Sequence, residues 1–544
     1  MNTRQLQTDK NQKLYHALLG ILLVCALAMM MLLSYWACKY SYYGAVDGRT
    51  RGVLVGDKTW AHIAVFLAAS LCAMGIDKVL MKKDKSQQEK ICLCTLIVTS
   101  VIAFILGVFY VCKNPYYPVG DQINTTAFAA YCRDGNFSML SIGGYVGMYQ
   151  QQKGLAILYE ILFTLFGDFN YRPAKILHVV WWILTILAGY GFLKLNTDRP
   201  VFRMLYCVMM LGCFPLLFYL PYIYGDVLSI SFGIILFYGV AAYEHSGQKR
   251  YIALASFAAG LAVLARKNTW IVLVAVAVYV LLVSLRKKKV RYLMAGTAIL
   301  LTAALSVKAV DVIYEVRSGY PSGVGIPSIL WVAMGLQETE GRAGVYNRYQ
   351  QATFTEYDCQ QELAAQQGKE YIRERLEEFS QDPGMAFNFF KNKVEGQWIE
   401  PMYAALESTE SFEEGAELSP VLESLYYGEL GRTIWKLTNY YQSILYLAGL
   451  MALVMLGILW WKKKEVPISL WLPWIAVFGG FLFSILWEAK SRYVFPYCVF
   501  MILYAPEGLY QTGLLLCKLP KLRKFKKSGH TQDKGEEASL RETA

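Results

Sequence analysis

Apolar runs that carry no formal charge recur along this chain at bilayer-spanning length, and this constrains the fold more than any other feature. Tyr15–Trp36 is the first: it contains no Asp, Glu, Lys or Arg, and a hydrocarbon core takes about 20 residues of helix. No water reaches the backbone in lipid, so each N–H and C=O must bond within its own segment, and such runs are helices rather than open strands. Spanning helices are predicted near 14–36, 60–80, 91–112, 173–193, 227–243, 251–265, 269–285, 291–310, 438–461, 468–487 and 492–515. Composition agrees. The chain is 56% hydrophobic and 17% charged, against about 45–50% and about 25% in soluble domains. The first run exceeds a secretory signal core and ends in the bulky Tyr35, Trp36 and Tyr40, so it reads as a retained helix. The expected fold is an all-α polytopic membrane protein with about 11–13 transmembrane or re-entrant helices.

Positive charge assigns sides. Lys82, Lys83, Lys85 and Lys90 fill one short connection, Lys249 and Arg250 another, and Arg286, Lys287, Lys288, Lys289 and Arg291 a third. Lys462, Lys463, Lys464 and the tail from Lys518 to Lys527 complete the set. These are placed in the cytoplasm of a multi-pass cell-membrane protein. The net charge of +12 therefore reads as a topology signal against anionic headgroups, not as a nucleic-acid surface. The stretches 37–59, 113–150, 221–226, 266–268, 311–437 and 488–491 then lie outside. Parity demands that one of two weaker runs, 154–167 or 204–220, does not cross, and the sequence does not choose between them. Four parts follow: a transmembrane catalytic module over 1–310 with its outer loop 113–150, a mainly helical extracytoplasmic domain over 311–437, C-terminal transmembrane helices over 438–517, and a basic, then disordered, cytoplasmic tail over 518–544. Within the outer part, Glu362–Phe379 reads as a helix, and Asp382-Pro383 starts another, with Asp as N-cap and Pro at the first position. Cys112 and Cys132 flank one polar loop and are read as free thiols. The five histidines are scattered with no metal-ligand spacing.

Four outer sites carry groups that could do chemistry. Asn114-Pro-Tyr-Tyr-Pro-Val-Gly-Asp121-Gln122 puts a carboxylate after a Pro/Gly turn and before a helix, where it suits either a proton acceptor or a helix N-cap. Tyr222-Ile-Tyr224-Gly-Asp226 repeats that choice at a second helix start. Arg266-Lys267 is a cationic pair at an outer turn, against the positive-inside bias; snorkelling explains many such residues, and a phosphate clamp explains this departure better. Glu488-Ala-Lys490-Ser-Arg492-Tyr493 is the fourth. Acidic and basic groups on one rim suit a reaction in which a hydroxyl attacks and a phosphate leaves. Asp121, Asp226, Arg266 and Arg492 are expected to line one cavity.

In this order and sidedness the residues resemble the GT-C superfamily of membrane glycosyltransferases, particularly bacterial relatives of protein mannosyltransferases and aminoarabinose transferases. The resemblance covers most of 91–285 and 468–510. It rests on Asp121 in the first large outer loop and on the helix Leu155–Gly167, ending in Phe-Gly, with Arg172 soon after. It rests further on Tyr224-Gly-Asp226 at an outer helix start, on Gly260-Leu-Ala-Val-Leu-Ala-Arg266, and on the late Glu488 to Arg492-Tyr493-Val-Phe-Pro496 element. Gly325–Gly335 and Trp398-Ile-Glu-Pro401 look, more loosely, like parts of bacterial cell-envelope proteins of this class. Family members often carry paired acids in the first loop. Asp121-Gln122 has one, which argues against a strictly metal-dependent oligosaccharyltransferase-like site and leaves a divalent metal open; no cofactor is assigned.

The resemblance implies an inverting hexosyltransferase using a polyprenyl-phosphate sugar donor, with a glycan, lipid or protein acceptor in cell-envelope polysaccharide, teichoic acid, lipid or protein glycosylation. Asp121 would be the general base. Arg266, Lys267 and Arg492 would hold the phosphate, Asp226, Tyr224 and Gln122 would orient substrate, and Trp398 and Tyr403 would stack on sugar faces. Rivals are a polysaccharide polymerase or ligase, and a transporter or flippase of lipid-linked sugars, which would place ionisable residues along a mid-membrane path.

Overall fold

The computed structural model describes residues 3–43, 53–287, 289–464 and 466–518; the tail beyond these, and Lys288, lie outside the described residues. Nine helices among the described residues are long and apolar enough to cross a bilayer, against eleven expected spans; the helix at the expected 251–265 span, Lys249–Ala265, has 17 residues and is not among them. The chain is a multi-pass membrane protein.

The helices in chain order are α1 (Thr3–Lys39), α2 (Thr59–Leu80), α3 (Lys85–Lys113), α4 (Asp121–Arg133), α5 (Lys153–Phe166), α6 (Arg172–Asn196), α7 (Pro200–Gly212), α8 (Asp226–Ser246), α9 (Lys249–Ala265), α10 (Trp270–Lys287) and α11 (Val290–Ser318). After a polar stretch containing α12 (Gln361–Gln381) and α13 (Pro383–Trp398) come α14 (Glu429–Trp461), α15 (Leu472–Leu486) and α16 (Ser491–Met501). Helix α3 shows how side chains sort. Leu96, Thr99, Ala103, Gly107 and Tyr110 face the interior. Ile97, Val101, Ile105 and Phe109, one row at four-residue spacing, are 49–61% exposed. Burying one such side chain is worth about 1.5–3 kcal/mol, so a continuous exposed row is stable only where lipid covers it.

Ion pairs define two ends of the bundle. At the basic end, Glu89 of α3 binds Arg203 at 2.5 Å and Lys194 at 3.4 Å, and Asp77 of α2 binds Arg199 at 3.0 Å. At the other end, the domain end, Lys175 donates to the Tyr116 carbonyl at 2.8 Å. Helix α6 therefore runs from the domain end to the basic end. Helix α5 precedes it, and both of its ion pairs, Lys153–Asp311 at 2.5 Å and Arg317–Glu160 at 2.6 Å, tie it to the last turns of α11 at the domain end. It enters and leaves at the same end. The 200–220 run instead goes the full length, broken at Cys213 before a short helix Phe214–Phe218 that has Pro215 in its first turn. Parity is thus resolved: 154–167 is the segment that does not cross. The expected 492–515 helix is also broken, with three turn residues, 502–504, after Met501 and helix again over 505–518.

The polar stretch between long helices is 319–428, narrower than the expected 311–437, because α11 extends to Ser318 and α14 starts at Glu429. Asp382 caps α13 by accepting the Met385 N–H at 2.9 Å, with Pro383 in its first turn, as expected. This stretch is docked into the bundle. Gln397 and Trp398 donate to Ser484 of α15, at 3.1 and 3.0 Å, and Tyr446 of α14 donates to the Trp398 carbonyl at 2.5 Å. Two antiparallel hairpins are the only sheets among the described residues. Tyr40–Tyr43 pairs with Val53–Gly56, and Glu338–Thr339 with Arg342–Ala343. The second is held over the site by the Ala489 N–H, which donates to the Gly344 carbonyl at 2.7 Å.

Candidate functional site

The site is built where the start of α8 meets the end of α9. A Cβ added at Gly225 would lie 2.0 Å from the Ala265 carbonyl oxygen, so only glycine lets these two backbones touch. The contact brings Asp226 onto Arg266, whose Nη1 donates to Asp226 Oδ2 at 2.6 Å. Arg492, from α16, places its Nε 4.0 Å from Asp226 Oδ1. Three tyrosines wall the two guanidinium groups. Arg266 lies over the rings of Tyr224 and Tyr493, at 5.2 and 5.4 Å, and Arg492 over Tyr222, Tyr224 and Tyr493, at 5.2, 5.4 and 5.4 Å. Such faces hold a cation without neutralising it.

The charge balance matters here. Asp226, Arg266 and Arg492 side chains are only 3, 11 and 7% exposed, so two buried cations meet one carboxylate. The Arg492 Nε is buried and has no hydrogen-bond partner among the described residues. A buried donor left unpaired costs about 1–3 kcal/mol; an incoming anion would remove that cost.

Neither acidic residue caps its helix. Gly120 and Gly225 hold the cap positions, with no side-chain cap hydrogen bond. Asp121 is exposed at the rim and accepts from the Tyr145 hydroxyl at 2.8 Å. Beside it, buried Glu488 accepts from the Tyr493 hydroxyl at 3.3 Å. Burial pushes the Glu488 carboxyl up to about 7, against the pull of Lys490 and helped by the negative charge of Asp121.

The expected single cavity divides. Asp226, Arg266 and Arg492 line a small one of about 20 Å³, which runs down between α8, α10 and α16. Tyr224, Arg266, Lys267 and Glu488 line another of about 100 Å³, closed on one side by Trp331 and Trp487, whose rings stack 5.9 Å apart at 3°. Asp121 lines neither, yet its charge reaches Glu488. Lys267 is exposed and donates to Ser328 Oγ at 3.3 Å. Tyr224 accepts from Gln152 Nε2 at 2.6 Å.

Three expected substrate contacts do not form. Trp398 is wholly enclosed, packed on Phe481 and Tyr497 with its N–H on Ser484, so no sugar reaches its face. Tyr403 is likewise buried against Phe495. Gln122 is buried as well, and its side-chain oxygen accepts from the Tyr116 hydroxyl, turned away from both cavities. The contributions of Gln152, Trp331 and Trp487 were not foreseen. Only Trp331 carried a signal, inside Gly325–Gly335. Among the described residues, no three His, Cys, Asp or Glu side chains gather as ligands for a metal ion.

Compared with known proteins, the chain matches no family model, no curated protein and no solved structure.

Proposed function

We propose that the protein transfers a sugar from a polyprenyl-phosphate donor to an acceptor hydroxyl at the outer membrane–water boundary, with inversion at the anomeric carbon. The observation that carries this reading is the pair of buried guanidinium groups, Arg266 and Arg492, set against the single carboxylate of Asp226, with one donor unpaired. A site with surplus fixed positive charge in low dielectric is suited to charge that grows on a departing phosphate. The acceptor oxygen attacks the anomeric carbon and the carbon–oxygen bond to phosphate breaks. Its electron pair goes to the phosphate, held by Arg266, Arg492 and Lys267, and the proton goes to Asp121. Asp226 holds the Arg266 guanidinium in position. The basic end faces the cytoplasm in this reading, which follows the positive-inside bias, and the donor's lipid tail lies between helices.

The resemblance to GT-C glycosyltransferases supports this assignment, and a polymerase or ligase using the same donor class differs only in acceptor. A flippase is disfavoured by the placement of charge. The buried Asp77, Arg203, Asp226 and Glu244 sit in the first or last turns of α2, α7 and α8, not along a mid-membrane path.

The test is to purify the full chain, supply polyprenyl-phosphate hexoses with candidate acceptors, and compare wild type with Asp121→Asn. Transfer by the wild type, reduced about 10²–10⁴-fold in the variant, is expected. A wild type that neither binds nor consumes any donor sinks the glycosyltransferase reading, whereas equal turnover by the variant removes only the role of Asp121.

A further inference from the structure

Next to the cationic cleft lies a larger cavity, of about 440 Å³, bounded by α13, the hairpin around Arg342 and the 488–491 loop. Glu488 is the one described residue that lines both this cavity and the cleft of about 100 Å³. Pockets of about 300–1,000 Å³ hold small organic ligands, so the space suits a disaccharide.

The chemistry of the walls selects among ligands. Its lining includes Glu395, Glu400, Glu407 and Glu488 together with Arg342, Lys393 and Lys490. An anion would meet four carboxyl groups, and a cation three basic groups. Burial moves the carboxyl groups and Lys393 towards their neutral forms: it raises Glu395 and Glu407, lifts Glu400 to about 7, and brings Lys393 down to about 7. What remains is a surface of interleaved donors and acceptors, which matches hydroxyl groups, since each both donates and accepts. The rings of Tyr42 and Tyr346 add apolar faces of the kind that pack on sugars. Glu395, on the α13 wall, is 3% exposed, with Lys391 Nζ 3.8 Å from its Oε1.

We infer that this cavity is a binding site for an uncharged saccharide, which meets the donor's sugar at Glu488. As the acceptor site of the transfer, the assignment rests on the glycosyltransferase reading; as a saccharide site it does not.

The test is direct binding to the full-length protein in lipid nanodiscs. The probes are uncharged disaccharides of glucose, galactose and mannose, read by saturation-transfer NMR, and sugar-free polyprenyl phosphate, measured separately. A Cβ on Gly396 would meet only the Tyr42 ring, at 3.9 Å, so the backbone there has room for a side chain and Gly396→Trp fills the cavity. At least one disaccharide is expected to bind wild type. Its affinity should fall tenfold or more in Gly396→Trp and at least threefold in Glu407→Gln, and stay within twofold in Arg266→Gln. Glu407→Gln keeps the volume of the side chain, so it decides the case if the tryptophan variant does not fold. No disaccharide binding to wild type, or unchanged affinity in the folded cavity variants, overturns the inference. Disaccharide binding without any polyprenyl-phosphate binding leaves the saccharide site standing and removes the donor reading.

Discussion

Helix α8 carries a buried carboxylate near each end, and the protein treats the two differently. At the basic end, Glu244 is closed by the chain itself. One oxygen accepts from Lys287 Nζ at 2.8 Å and the Ile468 N–H at 3.3 Å; the other accepts from the Ser469 N–H at 2.8 Å and the Tyr279 hydroxyl at 3.2 Å. At the domain end, Asp226 takes one short bond from Arg266, while Arg492 stays 4.0 Å off with its Nε unpaired. The first arrangement joins α8, α10 and the turn before α15, Ile468–Trp471, and leaves nothing for a ligand. The second holds surplus cation beside a cavity. Two carboxylates of similar burial therefore differ in use, and the difference lies in whether their partners have anything left to donate.

Substitutions should separate the two ends. The largest effect is expected for Glu244→Gln, which leaves Lys287 without its counter-charge. It should lose about 3 kcal/mol of stability, at the low end for a broken buried pair, seen as a lower unfolding midpoint with donor affinity unchanged. If donor binding falls as well, the two ends are not independent. Arg492→Gln should do the reverse. It should lower kcat/KM for the donor about a hundredfold, or ~2.7 kcal/mol, with a much smaller change in midpoint. A loss of stability that matches the loss of activity would make Arg492 structural.

Glu488 gives a pH test. Its carboxyl is raised from 4.5 to about 7 by burial, with Lys490, Asp121, Tyr493 and Arg266 around it. Between those values the folded chain holds a proton that the unfolded chain releases, so this group's contribution falls as pH rises from 4.5 to 7. Glu488→Gln should match wild type near pH 4.5 and be the more stable of the two at pH 8, where the wild-type carboxyl has lost its proton in both states, read from unfolding midpoints across pH. A difference constant with pH would contradict the buried, titrating carboxyl. The smallest effect is expected for Trp398→Phe. It loses the Ser484 hydrogen bond and part of a ring, so about 1 kcal/mol with unchanged transfer. Impaired transfer at unchanged stability would return Trp398 to the site.

Much of the architecture was legible in the sequence because a bilayer imposes length and composition on each helix. The same argument could not separate 154–167 from 204–220. Both are apolar, and the answer lies in Glu160 and Lys153 reaching α11, which hydropathy does not see. Within the site, Tyr224, Asp226, Arg266 and Arg492 were found because charged and aromatic residues at helix ends stand out against apolar runs. Trp398 was misplaced for the same reason. A tryptophan in a polar stretch looks like a surface ring until α15 is packed against it. The saccharide cavity carried a signal only at Glu488-Ala-Lys490 and, within Trp398-Ile-Glu-Pro401, at Glu400; its other walls, among them Tyr42, Arg342 and Glu395, come from segments hundreds of residues apart in places.

The contact at Gly225 has a mechanical meaning. With no clearance between its backbone and Ala265, Asp226 and Arg266 hang from one rigid mount and cannot be drawn apart without breaking the helix ends. Arg492 is mounted on α16, which contains Pro496 and therefore lacks one of its ladder hydrogen bonds. In the proposed transfer, the phosphate site thus has one fixed side, at Arg266, and one side, at Arg492, on a helix with a weakened ladder.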